Sequence, residues 1–348
     1  MPKRACHLPG IAGLSVLLGG IGLVVGTPAT AASAETVVTL PSLPGSRHST
    51  AALGINEAGT VVGYSTTDDL RERPVRWDTD TTITELGLPP GHTDGNATAV
   101  NDRGVVVGNS YGSGVEHAVR WAPGGPATVL PELPGSTYTT ANAVNDDGVI
   151  VGVSGAGTQH AVRWDPSGGF TELGTLPGDT GSEAMAITGD GTIVGVSQDA
   201  EFHFHAVRWD RAGRVERLAG LAGDVPSEAN GVNASGAIVG ASHTTTNSLG
   251  HAARWDRDGT IRALRELPGD QESIARAVNR SGTAVGHGRR SGRAAAHAVR
   301  WSPDGTVAAL PTPANTLKSD AAGINGPGVV VGSVSNDGLW AVKWVPRR

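Results

Sequence analysis

Seven tryptophans recur along the chain at a nearly constant spacing of 43 to 46 residues. They are Trp77, Trp121, Trp164, Trp209, Trp255, Trp301 and Trp344. A period of this length is typical of a stack of equal supersecondary units, because each unit covers the apolar face of its neighbour. The sequence therefore predicts a protein of seven repeats of about 44 residues.

Each repeat contains four segments that have the character of strands. The first combines small residues with a final Asn, as in 97–101, and the second is a β-branched run that ends in Gly, as in 105–108. The third reads His-Ala-Val-Arg-Trp, as in 117–121, and the fourth is a short alternating strand before Leu-Pro-Gly, as in 170–173. A strand that is apolar on both faces must be covered on both, so the sheets are expected to stack.

The turn between the first two segments reads Asn-x-x-Gly, as in Asn101 to Gly104. Asn at the first position and Gly at the fourth favour a type I turn, in which the Asn side chain caps the turn and Gly accepts a positive φ. The turn chemistry therefore agrees with antiparallel neighbours.

These features predict an all-β fold, a seven-bladed β-propeller of four-stranded antiparallel blades. The last repeat ends just after Trp344, before its fourth strand, whereas residues 36–40 precede a Leu-Pro-Gly as fourth strands do elsewhere. We therefore expect the N-terminal strand to pair with the C-terminal blade. Closure of this kind removes the open sheet edge.

The first 34 residues have the pattern of a secretory signal peptide. Lys3 and Arg4 precede an uncharged apolar stretch at 11–26, and Ala32-Ser33-Ala34 supplies a cleavage site of small residues. No later apolar run is long enough to span a bilayer, so no transmembrane anchor is expected. The prediction is a secreted, extracellular protein in which 35–348 form one domain.

The charge of the chain restricts its partners. The formal net charge is −6, and removal of residues 1–34, which carry two basic and no acidic side chains, makes it −8. An acidic domain has no general attraction to nucleic acid or to anionic lipid. We expect a monomer that binds neither.

The repeated motifs also resemble a known family. Leu-Pro-Gly, Ala-x-Ala-Val-Asn-x-x-Gly-x-Val-Val-Gly and His-Ala-Val-Arg-Trp are similar to the HAF repeats of bacterial extracellular proteins, in which the third motif usually reads His-Ala-Phe. The resemblance covers residues 36–345. It implies an exported repeat protein and carries no reaction or catalytic residue.

Residues that recur in nearly every repeat are expected to serve the fold. The cation before each Trp is predicted to be buried between blades against carboxylate or carbonyl acceptors, and the alternative is a basic ring that binds an anionic polymer. The histidine that begins the third segment lies in a different blade each time, too dispersed for metal ligation, so a structural hydrogen bond to the backbone is expected. These histidines are His117, His160, His205, His251 and His297.

The connections into the first strands are not repeated, and they carry the candidate binding residues. Three successive repeats place carboxylates there, whereas other repeats place imidazole or phenol groups. In a propeller these connections open onto the central channel. The predicted acidic arc at the channel mouth comprises Asp179, Glu183, Asp224, Glu228, Asp270 and Glu272, and the other side of the mouth comprises His48, His92 and Tyr138. Such an arc suits a cation, a sugar or a basic peptide, with Ca²⁺ as the one candidate cofactor. The alternative is that the aspartates only cap turns.

Two functions are consistent with this arrangement. The favoured hypothesis is a non-catalytic extracellular binding or scaffold protein for a glycan or peptide, because no repeat carries an isolated acid/base pair. The alternative is a secreted carbohydrate-active hydrolase or lyase that uses carboxylates at the channel mouth. With only 3 Tyr and 3 Phe, the chain has little material for stacking on sugars. No catalytic residue is assigned.

Overall fold

A computed structural model describes residues 35–46, 49–223, 226–243, 249–290 and 296–347. Within these ranges the chain forms 28 strands and no helix. Consequently, the described part contains no helix that could cross a membrane. The predicted signal peptide, residues 1–34, lies outside the described residues.

The strands are grouped in fours along the chain, and neighbours within a group pair antiparallel. Sheet I contains β2 (Thr50–Ile55), β3 (Val61–Thr66), β4 (Glu72–Trp77) and β5 (Ile83–Glu85). Sheet II contains β6 (His92–Val100), β7 (Val106–Gly112), β8 (Val115–Trp121) and β9 (Ala127–Val129). Sheet III contains β10 (Tyr138–Val144), β11 (Ile150–Ala156), β12 (Thr158–Trp164) and β13 (Phe170–Glu172). Sheets II and III are also joined by one parallel pair, Tyr138 with Glu116.

The second half of the chain repeats this pattern. Sheet IV contains β14 (Gly181–Ile187), β15 (Ile193–Gln198), β16 (Phe204–Trp209) and β17 (Val215–Arg217). Sheet V contains β18 (Ser227–Val232), β19 (Ile238–His243), β20 (Gly250–Trp255) and β21 (Ile261–Ala263). Sheet VI contains β22 (Asp270–Val278), β23 (Ala284–Arg290), β24 (His297–Trp301) and β25 (Val307–Ala309). Sheet VII contains β26 (Lys318–Ile324), β27 (Val330–Ser335), β28 (Leu339–Pro346) and, as its fourth strand, β1 (Glu35–Thr39).

The first described strand therefore pairs with the last. β1 runs antiparallel to β28, with Val37 opposite Trp344 and Thr39 opposite Val342. Leu40, which follows β1, is 2% exposed and belongs to a buried cluster that also contains Trp77 of sheet I. The segment around β1 thus takes part in the core as well as in the sheet.

The repeated tryptophans lie in buried clusters between consecutive sheets. Trp164 packs with Val107, Ala118 and Ile150, and its indole Nε1 donates a hydrogen bond of 2.7 Å to the carbonyl of Pro131. All seven indoles donate in the same way to the segment that follows the preceding fourth strand, with acceptors Pro41, Gly87, Pro131, Gly174, Ala219, Arg265 and Pro311. The period of the sequence is therefore the period of one intersheet contact.

The Asn-x-x-Gly turns are linked from sheet to sheet. Asn101 Oδ1 accepts the backbone N–H of Val105 at 2.9 Å, which is the predicted cap. Its Nδ2 donates at 2.8 Å to the carbonyl of Asn145, the equivalent residue of the next sheet. An Asn Nδ2 donates in the same way to the carbonyl of the equivalent residue of the next sheet at six positions: Asn56, Asn101, Asn145, Asn233, Asn279 and Asn325. The last donor, Asn325, bonds to the carbonyl of Asn56. We call this series the asparagine ladder.

A β-bulge interrupts the first strand of every sheet at one repeat position. The bulged residues are Leu53, Thr98, Asn142, Met185, Asn230, Arg276 and Ala322. Several of them line a cavity of about 230 Å³ between the first strands. The bulge also explains the Gly that ends each β-branched run, because a Cβ on Gly152 would lie 2.0 Å from the carbonyl oxygen of Thr140.

Candidate functional site

The sheets expose two different sets of connections. The Asn-x-x-Gly turns and the turns between third and fourth strands lie at one end of the strands. The connections from second to third strand, and from the fourth strand into the next sheet, lie at the other end, which we call the loop face. The non-repeated residues of the sequence are concentrated on the loop face.

Two aspartates of the predicted acidic arc are held by repeat histidines. Asp179 Oδ2 lies 3.2 Å from His205 Nδ1, and the Asp179 side chain is 8% exposed. Asp270 Oδ2 lies 2.9 Å from His297 Nε2, and the Asp270 side chain is 2% exposed. Both carboxylates are therefore buried against an imidazole, and Asp270 Oδ1 has no hydrogen-bond partner among the described residues.

The same pairing recurs in other sheets. His117 contacts Glu132 at 2.7 Å, His160 contacts Glu172 at 3.1 Å, and His251 contacts Glu266 at 2.9 Å. The repeat histidine is thus structural, as predicted, but its partner is a carboxylate rather than the backbone. In these three sheets the contact joins the start of the third strand to the fourth strand or to the connection that follows it, whereas Asp179 lies before the first strand of its sheet and Asp270 begins that strand.

The remaining predicted residues are divided between the rim and the first strands. Glu272 lies 3.5 Å from Arg289 Nη1 at the rim. Glu228 accepts a bond of 3.1 Å from Asn230, and Glu183 accepts one of 2.9 Å from Asn142. His48 and Asp224 lie outside the described residues.

His92 and Tyr138 occupy the start of first strands on the loop face. His92 Nδ1 lies 2.7 Å from Ser110 Oγ, and its ring centroid is 5.1 Å from that of His117. Burial, followed by the neighbouring His117, lowers the pKa of His92. Tyr138 lies beside Glu116 through their parallel strand pair, which leads to a cluster that the sequence did not indicate.

The strongest concentration of perturbed carboxyls lies on the loop face of sheets I to IV. Glu72 begins the third strand of sheet I, and Glu116 lies at the equivalent position of sheet II. The other sheets have no carboxylate at this position, where Gln159, Phe204, Gly250, Ala296 and Leu339 stand instead. Together with Glu183 of sheet IV, Glu72 and Glu116 form what we call the carboxyl cluster.

All three carboxyls of the cluster have a raised pKa. Burial is the main cause at each. At Glu116 the charge of Glu72 adds to the effect, whereas at Glu72 the added charge is that of Asp94. Carboxyls that titrate above their ordinary range beside one another are the groups from which general acid/base pairs are built.

Two asparagine amides hold the first two carboxyls. Asn96 hydrogen-bonds to Glu72, and Asn109 Nδ2 donates to Glu116 Oε1. Asn96 and Asn109 are opposite one another in β6 and β7. Each amide oxygen is buried without a hydrogen-bond partner among the described residues. An unsatisfied buried acceptor costs about 1–3 kcal/mol, so the amides are oriented for the carboxyls at the expense of stability.

Two phenols adjoin the carboxyl cluster. Burial raises the pKa of Tyr64, and the charge of Glu72 adds to it. Burial also raises the pKa of Tyr138, with further contributions from Glu183 and Glu116. Both phenols therefore stay protonated at neutral pH and can donate a hydrogen bond to a bound molecule.

A separate polar group lies between sheets VI and VII. Asp320 accepts from Arg276 Nε at 3.1 Å and lies 3.2 Å from His287 Nδ1. Burial alone would raise the pKa of Asp320, but the His287 hydrogen bond and the Arg276 charge outweigh it, and the pKa is lowered. The charge of Asp320 is therefore balanced by its contacts with Arg276 and His287.

The described residues contain no group of three or more His, Cys, Asp or Glu side chains placed to hold a metal ion. Two of the predicted Ca²⁺ ligands, Asp179 and Asp270, instead face imidazoles. The chemistry available on the loop face is therefore that of coupled carboxyls flanked by amides and phenols.

Comparison with known proteins identifies the class of the fold, but it assigns no role to any residue. No family model and no curated protein matches the sequence. The chain is similar to virginiamycin B lyase from Staphylococcus aureus, in a catalytically inactive form with quinupristin, at 14% identity, over 89% of this chain and 99% of that one, with a TM-score of 0.60. It is similar to a streptogramin B lyase at 16% identity, over 90% and 98% of the two chains, with a TM-score of 0.58. A Mycobacterium tuberculosis puromycin-hydrolyzing peptidase matches at 14% identity and a TM-score of 0.57, over 88% of this chain and 52% of that one.

These neighbours are of the propeller type, so the all-β propeller class predicted from the sequence is confirmed at that level. The prediction of a non-catalytic scaffold is wrong, because the structures that share the fold over nearly their whole length are enzymes. That prediction depended on the absence of an isolated acid/base pair. Glu72 and Glu116 are carboxyls without an equivalent in the other repeats, and they come from two different repeats.

Proposed function

We propose that residues 35–348 form a closed seven-bladed β-propeller enzyme, a hydrolase or lyase whose acid/base groups are Glu72 and Glu116. The pairing of β1 with β28 and the asparagine link from sheet VII to sheet I support the closed ring. The resemblance to HAF repeats and the signal-like residues 1–34 support an exported bacterial enzyme that acts outside the cell.

The observation that carries the catalytic proposal is the coupled pair itself. The two carboxyls are partly buried, each is held by an asparagine, and the charge of Glu72 raises the pKa of Glu116. Since the equivalent positions of other sheets lack a carboxylate, the repeat fold does not require them. Perturbed, non-repeated carboxyls on the loop face are the expected mark of an active site.

The coupling assigns the two roles. Burial raises the pKa of both carboxyls, and the charge of Glu72 adds to the effect at Glu116, so we assign Glu116 as the general acid and Glu72 as the general base. In an elimination, Glu72 takes a proton from the carbon beside the leaving group, a carbon–carbon double bond forms, and Glu116 protonates the departing atom. In a hydrolysis, Glu72 takes the proton from the attacking water, and Glu116 protonates the leaving group. Tyr138, whose pKa is raised by burial and by the charges of Glu183 and Glu116, stays protonated and donates a hydrogen bond to developing negative charge.

Turnover by the purified mature chain tests this proposal. Virginiamycin B, puromycin and a panel of polysaccharides would be incubated with the protein and followed by mass spectrometry. Hydrolysis adds the mass of water, whereas elimination within a ring leaves the mass unchanged and opens the ring. We expect Glu116→Gln to lower the rate by about 10²- to 10⁴-fold, the usual contribution of a general acid.

Glu216→Gln is the matched control, because Glu216 is an exposed carboxylate of a fourth strand and pairs with Arg208. Its rate should equal that of the wild type. Equal rates for Glu116→Gln and wild type, or failure of the wild type to convert any compound of the three classes, would contradict the catalytic proposal.

A further inference from the structure

Two turns on the loop face place an exposed apolar residue where the Asn-x-x-Gly turns have glycine. In Asn-x-x-Gly turns the fourth residue is a glycine in the left-handed region, such as Gly104 at φ 77°. The connection between β3 and β4 has the same turn with Leu70 in that place, at φ 62°, and its N–H donates to Thr67 at 2.9 Å. The connection between β15 and β16 has Phe202, at φ 66°, whose N–H donates to Asp199 at 3.2 Å.

Leu70 and Phe202 strain the backbone of their turns, and no burial of their side chains compensates for that strain. A non-glycine residue in the left-handed region is strained, because its Cβ comes too close to the following carbonyl oxygen. The side chains gain no burial, since Leu70 is 72% exposed and Phe202 is 77% exposed. Strain of this kind in an exposed apolar residue indicates a role outside the fold.

The loop that carries Phe202 is held firmly. Asp199 accepts the backbone N–H groups of Glu201 at 3.0 Å and of His203 at 2.8 Å, and it also contacts the His203 ring at 3.1 Å. Phe204, two residues on, begins β16 and is 45% exposed. The two phenylalanines therefore stand on a fixed support, which limits the entropy lost when a ligand binds.

Aromatic residues are few in this chain, but they are concentrated on the loop face. Five of the six Phe and Tyr residues lie there: Tyr64, Tyr111, Tyr138, Phe202 and Phe204. Of the seven large apolar side chains that are exposed in the described residues, six lie on this face. An apolar group of the ligand, rather than the packing of the sheets, explains this distribution.

The charge beside Phe202, at the tip of the connection between β15 and β16, restricts the chemical class of the ligand further. Glu201 is exposed next to Phe202, and the chain as a whole is acidic. An acidic, aromatic tip complements a compound that carries both an apolar ring and a positive charge. A plain polysaccharide offers neither.

We infer that residues 199–204 form a recognition loop for an aromatic group of a cationic, peptide-type substrate, and that Phe202 is its main contact. This inference rests on the proposed function for the position of the reacting bond, but its test is a binding measurement that needs no turnover. The inference replaces the carbohydrate substrate that the sequence had suggested for an enzyme.

The test uses acetyl-phenylalanyl-lysine amide as the probe, with acetyl-glycyl-lysine amide and maltohexaose for comparison, in titrations of the mature chain followed by NMR. We expect the aromatic probe to bind best. Phe202→Gly should weaken its binding by about threefold to tenfold, the worth of one aromatic contact. The same variant should keep or raise the thermal midpoint, because glycine relieves the left-handed strain.

Thr81→Gly is the matched control. Thr81 has the same left-handed conformation, φ 71°, and the same turn hydrogen bond of 2.9 Å to Asp78, but it lies at the opposite end of the strands. It should change stability in the same direction and leave binding unaltered. Unchanged binding by Phe202→Gly, or equal binding of the phenylalanyl and glycyl probes, would overturn the recognition loop. Selective binding in a protein without turnover would leave the loop intact and overturn only the catalytic proposal.

Discussion

Replacement of Asn325 by threonine should destabilise the protein by about 1 kcal/mol, the net worth of one intramolecular hydrogen bond. Asn325 Oδ1 accepts the N–H of Val329 at 2.9 Å, and its Nδ2 donates to the carbonyl of Asn56 at 3.2 Å. Thr188 shows that a threonine keeps the first contact, because its hydroxyl accepts the N–H of Thr192 at 3.0 Å. The variant therefore removes only the amide link between sheets VII and I.

Equilibrium unfolding in urea measures this loss, and two further variants calibrate it. Asn101→Thr breaks the equivalent link between sheets II and III and should cost the same amount. Thr188→Asn supplies the link that sheet IV lacks and should stabilise by a similar amount. If Asn101→Thr costs about 1 kcal/mol and Asn325→Thr costs nothing, the last and first sheets do not adjoin as the others do. The closed ring would then be refuted.

Three further predictions follow from the packing and the buried charges. Trp164→Ala removes a 2% exposed indole and its bond to Pro131, and should cost about 3–5 kcal/mol in urea unfolding, whereas a loss under 1 kcal/mol would contradict the intersheet core. Deletion of residues 35–40 removes β1 and exposes the edge of β28, and should lower the thermal midpoint sharply; an unchanged midpoint would mean that β1 is dispensable. Burial raises the pKa of Glu183 in the folded protein. The contribution of Glu183 to the free energy of unfolding is therefore fully present below the ordinary Glu pKa and is lost as pH rises through the folded-state pKa. Glu183→Gln should therefore raise the midpoint at neutral pH but not near pH 4, and equal shifts at both pH values would contradict that assignment.

Much of the fold could be predicted from the sequence because the repeat imposes one packing problem many times. The Trp spacing, the Asn caps and the fourth strand supplied by residues 36–40 all correspond to contacts that recur in the structure. The bulges could not be predicted, since a bulge inserts a residue without a distinctive side chain, as the series from Leu53 to Ala322 illustrates. The hydrogen bond from the Asn side-chain amide to the next sheet could not be predicted either, because the local motif does not show which residue accepts it.

The candidate site was harder to predict because its members come from different repeats. Asp179 and Asp270 looked free in the sequence, but the fold places each against a repeat histidine. A usable signal was nevertheless present. In the position before the third-strand motif, which reads Arg-Pro-Val in sheet I and His-Ala-Val in sheet II, only Glu72 and Glu116 are acidic. In the position after the Gly that ends the β-branched run of the second strand, Asn109 replaces the Val or Ala of sheets III to V. Departures from the repeat mark function better than the repeat itself does.

The central claim is that Glu72 and Glu116 are coupled carboxyls that share the work of an acid and a base. Carbon-13 NMR titration of the labelled glutamate carboxyls tests it without any substrate. The account predicts that the pKa of Glu116 lies above its ordinary value in the wild type and moves down towards it in Glu72→Gln, because the charge that raises it has been removed. A Glu116 that titrates in the ordinary range, or one that does not respond to Glu72→Gln, would contradict the claim.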